Sequence, residues 1–218
     1  MKEVALGTVR KGAALAALGA LAACLLCGCA KFEGSFRVVA ASGSFDATPA
    51  GTTAVLAVTA REGKTPKSGG TTWAVADTPN ADANFAEMVA HVAATEAGMD
   101  VLTPADVAEK VEAVGGNSSL QSPPERLPLR ARLLGCSSYL TAHVKAWRFR
   151  SVFFQAQAIV EFTLTCHAAD DGALLWEVEV SRTAVGISDR EVALLALRET
   201  FQWLKGAAPQ ALDSEPVP

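Results

Sequence analysis

The residues in this 218-residue chain that could do chemistry are few and scattered. Cys24, Cys27 and Cys29 crowd together near the N-terminus, while Cys136 and Cys166 stand apart. The three histidines, His91, His143 and His167, form no His-x-x-x-His pair, so their spacing offers no zinc-binding set. Ser137 and Ser138 lack the Gly-x-Ser-x-Gly frame that exposes a nucleophile on a sharp turn. Gly69-Gly70 and Gly115-Gly116 do not lead from a strand into a helix, as a phosphate cradle must. Glu177 and Glu179 share one face of an expected strand and could exchange a proton, but the same spacing describes an ordinary solvated strand face. The expectation is a chain with no catalytic residues, no metal site and no cofactor.

One cysteine does have a chemical context. Lys2, Arg10 and Lys11 precede an uncharged stretch, Ala13 to Leu26, made mostly of Ala and Leu. This is the basic and then apolar build of a secretory signal peptide, and it is too short to span a bilayer, which takes about 20 apolar residues. Leu26-Cys27-Gly28-Cys29 follows it. That tetrad resembles the lipobox of bacterial lipoproteins, which implies that Cys29 is diacylated and becomes the first residue of the mature chain. Leu21-Ala22-Ala23-Cys24 is a second match, with Cys24 as the alternative site. Ala30 at the next position points to the periplasmic face of the outer membrane. The alternative is the periplasmic face of the inner membrane.

Residues 1–28 carry three of the 19 basic and one of the 23 acidic side chains, leaving 16 and 22 and a net charge of −6. That balance argues against nucleic acid as a partner. With the signal removed, the length suits one domain, and half of all residues are apolar, enough for a real core.

The elements that must position these residues can be read from periodicity. Residues 29–50, rich in Gly, Ser, Thr, Ala and Pro, read as a tether with one β-prone piece, Phe36–Ala40. Residues 51–70 read as a strand, Thr53–Thr59, followed by a loop. The main domain is expected over 71–205. It opens with a short strand at Thr72–Ala76 and a helix from Asn80 to Ala97, with Phe85, Met88, Val89 and Val92 on its inner face and Gly98 as its stop. A strand over Met99–Leu102 comes next. Thr103-Pro104 then caps a helix that buries Val107, Val111 and Val114. A short helix ends at Gly135. A three-strand antiparallel meander occupies Tyr139–Phe149, Val152–Ala168 and Leu174–Thr183, with a turn at Ala169–Gly172. A last helix spans Asp189–Lys205, and 206–218 is a disordered tail. The fold class is α+β: one mixed sheet, two short N-terminal strands plus the meander, packed against helices.

Parity within the meander makes two further expectations. With the hairpin centred on Ser151, Leu140, Ala142, Val144 and Ala146 oppose Phe162, Val160, Ala158 and Ala156, every pair apolar. The same ladder opposes Cys136 to Cys166, so in an oxidising compartment they are candidates for a disulfide; two buried free thiols are the alternative. Trp147, Phe149 and Phe153 fall on the opposite face. Either another segment covers them, or they form an aromatic patch for a partner protein or the lipid interface.

Three stretches carry a family resemblance. Met99–Val107, Ala131–Val144 and Asp171–Trp176 resemble segments of a domain shared by curli-secretion lipoproteins (CsgG-like), the penicillin-binding-protein activator LpoB, the N-terminal domain of TolB and related proteobacterial lipoproteins. The resemblance covers residues 71–205. It implies this fold and an envelope location, and by analogy a non-enzymatic adaptor or assembly module that binds another envelope protein or itself. The alternative is an envelope enzyme or small-ligand binder.

Overall fold

The computed structural model describes residues 32–41, 48–60, 75–77, 80–113, 123–152 and 155–206. The expected signal peptide with Cys24 and Cys29, the expected loop over 61–70, Val114, Phe153 and residues 207–218 lie outside them. In chain order the elements are β1 (Phe32–Ala41), β2 (Thr52–Ala60), β3 (Val75–Asp77), α1 (Ala81–Val92), β4 (Asp100–Leu102), α2 (Pro104–Ala113), α3 (Leu127–Leu133), β5 (Ser138–Val152), β6 (Gln155–Ala168), β7 (Leu174–Val185) and α4 (Asp189–Gly206). A wider π turn over Ala93–Ala97 continues α1 up to Gly98, whose positive φ of 71° closes it.

The strands form one mixed sheet in the order β1-β7-β6-β5-β2-β4. The first four are antiparallel; β2 runs parallel to both β5 and β4. β3 pairs with β5 at Arg148–Arg150, past the point where β2 stops at Val144. The α+β class and the order of elements from β3 onward agree with the sequence reading.

Two stretches expected outside the domain belong to this sheet. β2 is an interior strand. Val55 and Val58 are buried on the face covered by α1, and Ala54 and Leu56 are buried on the face covered by α2 and α3. A strand buried on both faces shows a continuous apolar run instead of alternation, so Thr52–Ala60 looks like an isolated β-prone piece. β1, expected as tether, is the edge strand paired with β7. Gly34 allows the pairing: a Cβ there would collide with the Ser181 carbonyl oxygen. Phe36 anchors it, its ring centroid 4.7 Å from that of Trp203 on α4.

The main core lies between the sheet and the pair α1 and α4. Phe85, Met88, Val89 and Val92 of α1 and Val192, Leu197, Phe201 and Leu204 of α4 are all buried there, as their helical spacing predicts. Leu195 is not; it is 39% exposed. A smaller core on the other face gathers Val107, Val111, Leu127, Ala131, Leu134 and Tyr139. Both longer caps are capping boxes: Thr103 with Asp106 on α2, and Ser188 with Glu191 on α4, each hydroxyl accepting a backbone N–H while the acid accepts in return.

Candidate functional site

The smaller core covers only β2, β4 and the start of β5, so the rest of that sheet face has no helix over it among the described residues. This open face, built from β1, β7, β6 and β5, is where the exposed polar side chains gather, and a β-bulge in β5 sets what lies on it.

From Leu140 to Val144, β5 keeps its even-numbered residues toward the main core, and they oppose Cys166, Leu164 and Phe162. Between Val144 and Ala146 the register slips by one, the signature of a bulge at Lys145. Beyond it the odd-numbered residues turn inward. Trp147 opposes Val160, is 4% exposed, and meets Phe85 edge-on at 5.8 Å. Phe149 is half-buried against the same core. The proposed aromatic patch is therefore corrected: Trp147 and Phe149 are core residues, because the bulge exchanges the two faces of the strand. The sequence carried a sign of it, since the apolar positions switch from even (140, 142, 144) to odd (147, 149) across Lys145-Ala146.

The expected disulfide is corrected by the same ladder. The connection between the strands is Phe153-Phe154, not Ser151, so Cys166 opposes Leu140 and not Cys136. Up to Val144 the shift is four residues, an even number, which preserves the expected buried face while changing every partner; past the bulge it is five, and the face of β5 is exchanged. Cys136 is buried in the smaller core and Cys166 in the main core, on opposite sides of the sheet, and no disulfide joins them. Burial pushes the Cys136 thiol above its ordinary value, which keeps it protonated and inert.

On the open face the bulged Lys145 reaches across β6 to β7, its Nζ 2.6 Å from Glu179 Oε1, with both side chains about 40% exposed. The hydrogen bond from Lys145 is the main cause that lowers the Glu179 carboxyl below its ordinary range, and Arg37 of β1 adds a smaller pull. An exposed pair of this kind contributes about 0–1 kcal/mol. Glu177, paired in sequence terms with Glu179, contacts Thr165 at 3.4 Å. His143 Nδ1 lies 2.9 Å from Thr59 Oγ1 on the adjacent β2. A hydroxyl beside a ring nitrogen is the start of a nucleophilic dyad, but a working one also needs a group that orients the other nitrogen, and among the described residues His143 has no such partner. His167 instead stacks on Tyr139 at 5.0 Å and donates from Nδ1 to the Gly172 carbonyl at 3.2 Å, which ties the β6–β7 turn to the smaller core. His91 is exposed on α1. No three His, Cys, Asp or Glu side chains among the described residues come together as a metal-binding group.

The other surface feature is apolar. Leu129 and Leu133, one helical turn apart on α3, are 52% and 69% exposed. Sequence reasoning passed over them because a short helix has no periodicity long enough to separate an inner from an outer face.

A single sheet flanked on one side by two long helices and on the other by two short ones can be compared with solved structures. The PelC dodecamer from Paraburkholderia phytofirmans overlaps 80% of this chain and 100% of its own at a TM-score of 0.55 and 15% identity. The chain shares the fold of PelC. Lipoprotein GNA1162 from Neisseria meningitidis covers 72% of this chain and 99% of its own (TM-score 0.46, 15% identity), and the LpoB C-terminal domain from Salmonella enterica 65% and 86% (TM-score 0.42, 12% identity). No protein-family model matches the sequence, and no curated protein matches it.

Proposed function

We propose that this chain is a lipid-anchored protein of the bacterial cell envelope, held in the periplasm by acylated Cys29, whose α+β domain works by docking onto protein surfaces, either copies of itself or another envelope protein. The observation that carries this reading is the fold shared with PelC along that protein's entire length, because PelC is a dodecamer. Two sequence and surface features support it. The lipobox at Leu26–Cys29 supplies the anchor. The exposed Leu129–Leu133 pair supplies an apolar contact of the kind that interface centres use. The polar groups of the open face, such as Lys145 and Glu179, are exposed or half-exposed, which suits recognition better than chemistry.

Chemical crosslinking in intact cells, followed by sedimentation of the purified acylated protein in detergent, tests the reading. Wild type should give a higher-order species or a specific envelope partner, and Leu129→Asp with Leu133→Asp should weaken that species while the melting temperature holds. A protein that stays monomeric at tens of micromolar and captures no envelope protein refutes the reading.

A further inference from the structure

Four large apolar side chains stand exposed among the described residues, and they fall into two pairs: Leu129 and Leu133 on α3, Leu195 and Trp203 on α4. The pairs lie on opposite faces of the sheet. The inner side of α3 packs into the smaller core through Leu127, Ala131 and Leu134, and that of α4 into the main core through Leu197, Phe201 and Leu204. They also lie toward opposite edges. α3 sits on β2 and β5, whereas the Trp203 ring rests on Phe36 of the edge strand β1. From β2 to β1 is four strand spacings, or roughly 19 Å at about 4.8 Å each.

The charges around the two pairs differ in sign. Pro123–Leu134 carries Arg126, Arg130 and Arg132 against one acid, Glu125, and Arg126 and Arg132 are exposed beside the α3 leucines. On α4 a spacing of four residues sets Glu191, Leu195, Glu199 and Trp203 in one exposed row. Glu199 also takes Arg182 at 2.9 Å, but the arginine is the inner partner, its side chain 13% exposed against 45% for Glu199. Two of the three bases of α4 are directed elsewhere. Arg198 Nε lies 3.2 Å from Glu96 Oε1, and Lys205 Nζ 3.4 Å from the Glu96 carbonyl oxygen, both on the π turn after α1. The third, Arg190, stands at the first turn of the helix. One chain thus carries a basic, apolar surface and an acidic, apolar row. The two complement each other in charge, and each sets apolar side chains among charged ones as docking surfaces do.

We infer that a second copy of this chain docks its α3 surface, Leu129 and Leu133 with Arg126 and Arg132, onto the Glu191–Trp203 row of α4. On each copy the two surfaces point away from each other, so the contact is head-to-tail. It closes into a ring or extends as a filament, and it is not a two-fold dimer. The inference rests on the docking reading above and names its occupant. To test it, the full chain is expressed with its signal and purified in detergent, carrying either Leu133→Cys or Leu195→Cys, one of them with a C-terminal tag that changes its mass. Cys136 and Cys166 are buried and wild type is the control. Both new positions are exposed, so the melting temperatures should match wild type. Should either cysteine loosen the assembly, the rim positions Glu125→Cys and Gln202→Cys replace the pair. A short bismaleimide added to an equimolar mixture should give the mixed dimer in roughly ten-fold excess over dimers of either variant alone, because a heterologous contact does not bring a residue onto its own equivalent. Like dimers in equal amount overturn the head-to-tail contact. So does a mixture without crosslinks while wild type still sediments as an oligomer or captures an envelope protein, and that result leaves the docking reading standing. A wild type that stays monomeric and captures nothing refutes the docking reading, and the inference with it.

Discussion

Replacing Trp147 by Ala is the sharpest test of the bulge. If β5 kept one parity throughout, this ring would lie on the open face, and its loss would change the melting temperature by little. With the bulge at Lys145 the ring sits in the main core at 4% exposure, against Phe85 and opposite Val160. Truncating a buried Trp to Ala costs about 3–5 kcal/mol, the transfer term plus the cavity left behind. No protein group among the described residues accepts a hydrogen bond from its indole N–H, so the substitution orphans no polar partner, and the loss is one of packing. For a domain of this size each kcal/mol shifts the melting temperature by about 2–4 °C, so the expected fall is roughly 6–20 °C. Circular dichroism melts of the mature protein give the number, with Arg148→Ala, its exposed neighbour, as the reference that should move by about 2 °C or less. If Trp147→Ala melts with Arg148→Ala, the parity switch is wrong and the aromatic patch returns.

Thiol titration follows from the ladder: the mature, acylated protein, denatured without reductant, should show two reactive groups, Cys136 and Cys166, and the native protein close to none. A denatured protein with no reactive thiol would mean that the strands pair in another register. Ser188→Ala removes the hydroxyl that caps α4 and should lower the melting temperature by about 2–4 °C at neutral pH. Glu191, held below its ordinary value by the Ser188 backbone N–H first and the Ser188 hydroxyl second, contributes stability that is present above the unfolded carboxylate range and lost as pH falls through its lowered value. The gap between wild type and Ser188→Ala should therefore narrow on acidification, and a gap that widens would refute the capping box.

The sequence alone determined whatever depends on local chemistry and short periods. The helices α1, α2 and α4, the cap at Thr103, the stop at Gly98 and the buried face of β6 from Ala158 to Cys166 follow from side-chain spacing, because a helix or half-buried strand repeats its environment every few residues. The resemblance of Leu26–Cys29 to a lipobox likewise rests on the sequence alone. Tertiary structure decided the rest, for physical reasons that leave little local trace. Thr52–Ala60 became an interior strand because both of its faces found helices, which erased the alternation that marks a strand. Phe32–Ala41 entered the sheet because Gly34 permits a close approach to β7, and a glycine reads equally as part of a flexible linker. The one-residue bulge at Lys145 sent Trp147 inward, and the position of the β5–β6 connection moved Cys166 away from Cys136 to lie opposite Leu140. Register is a property of two strands at once, set by which whole faces can be buried together.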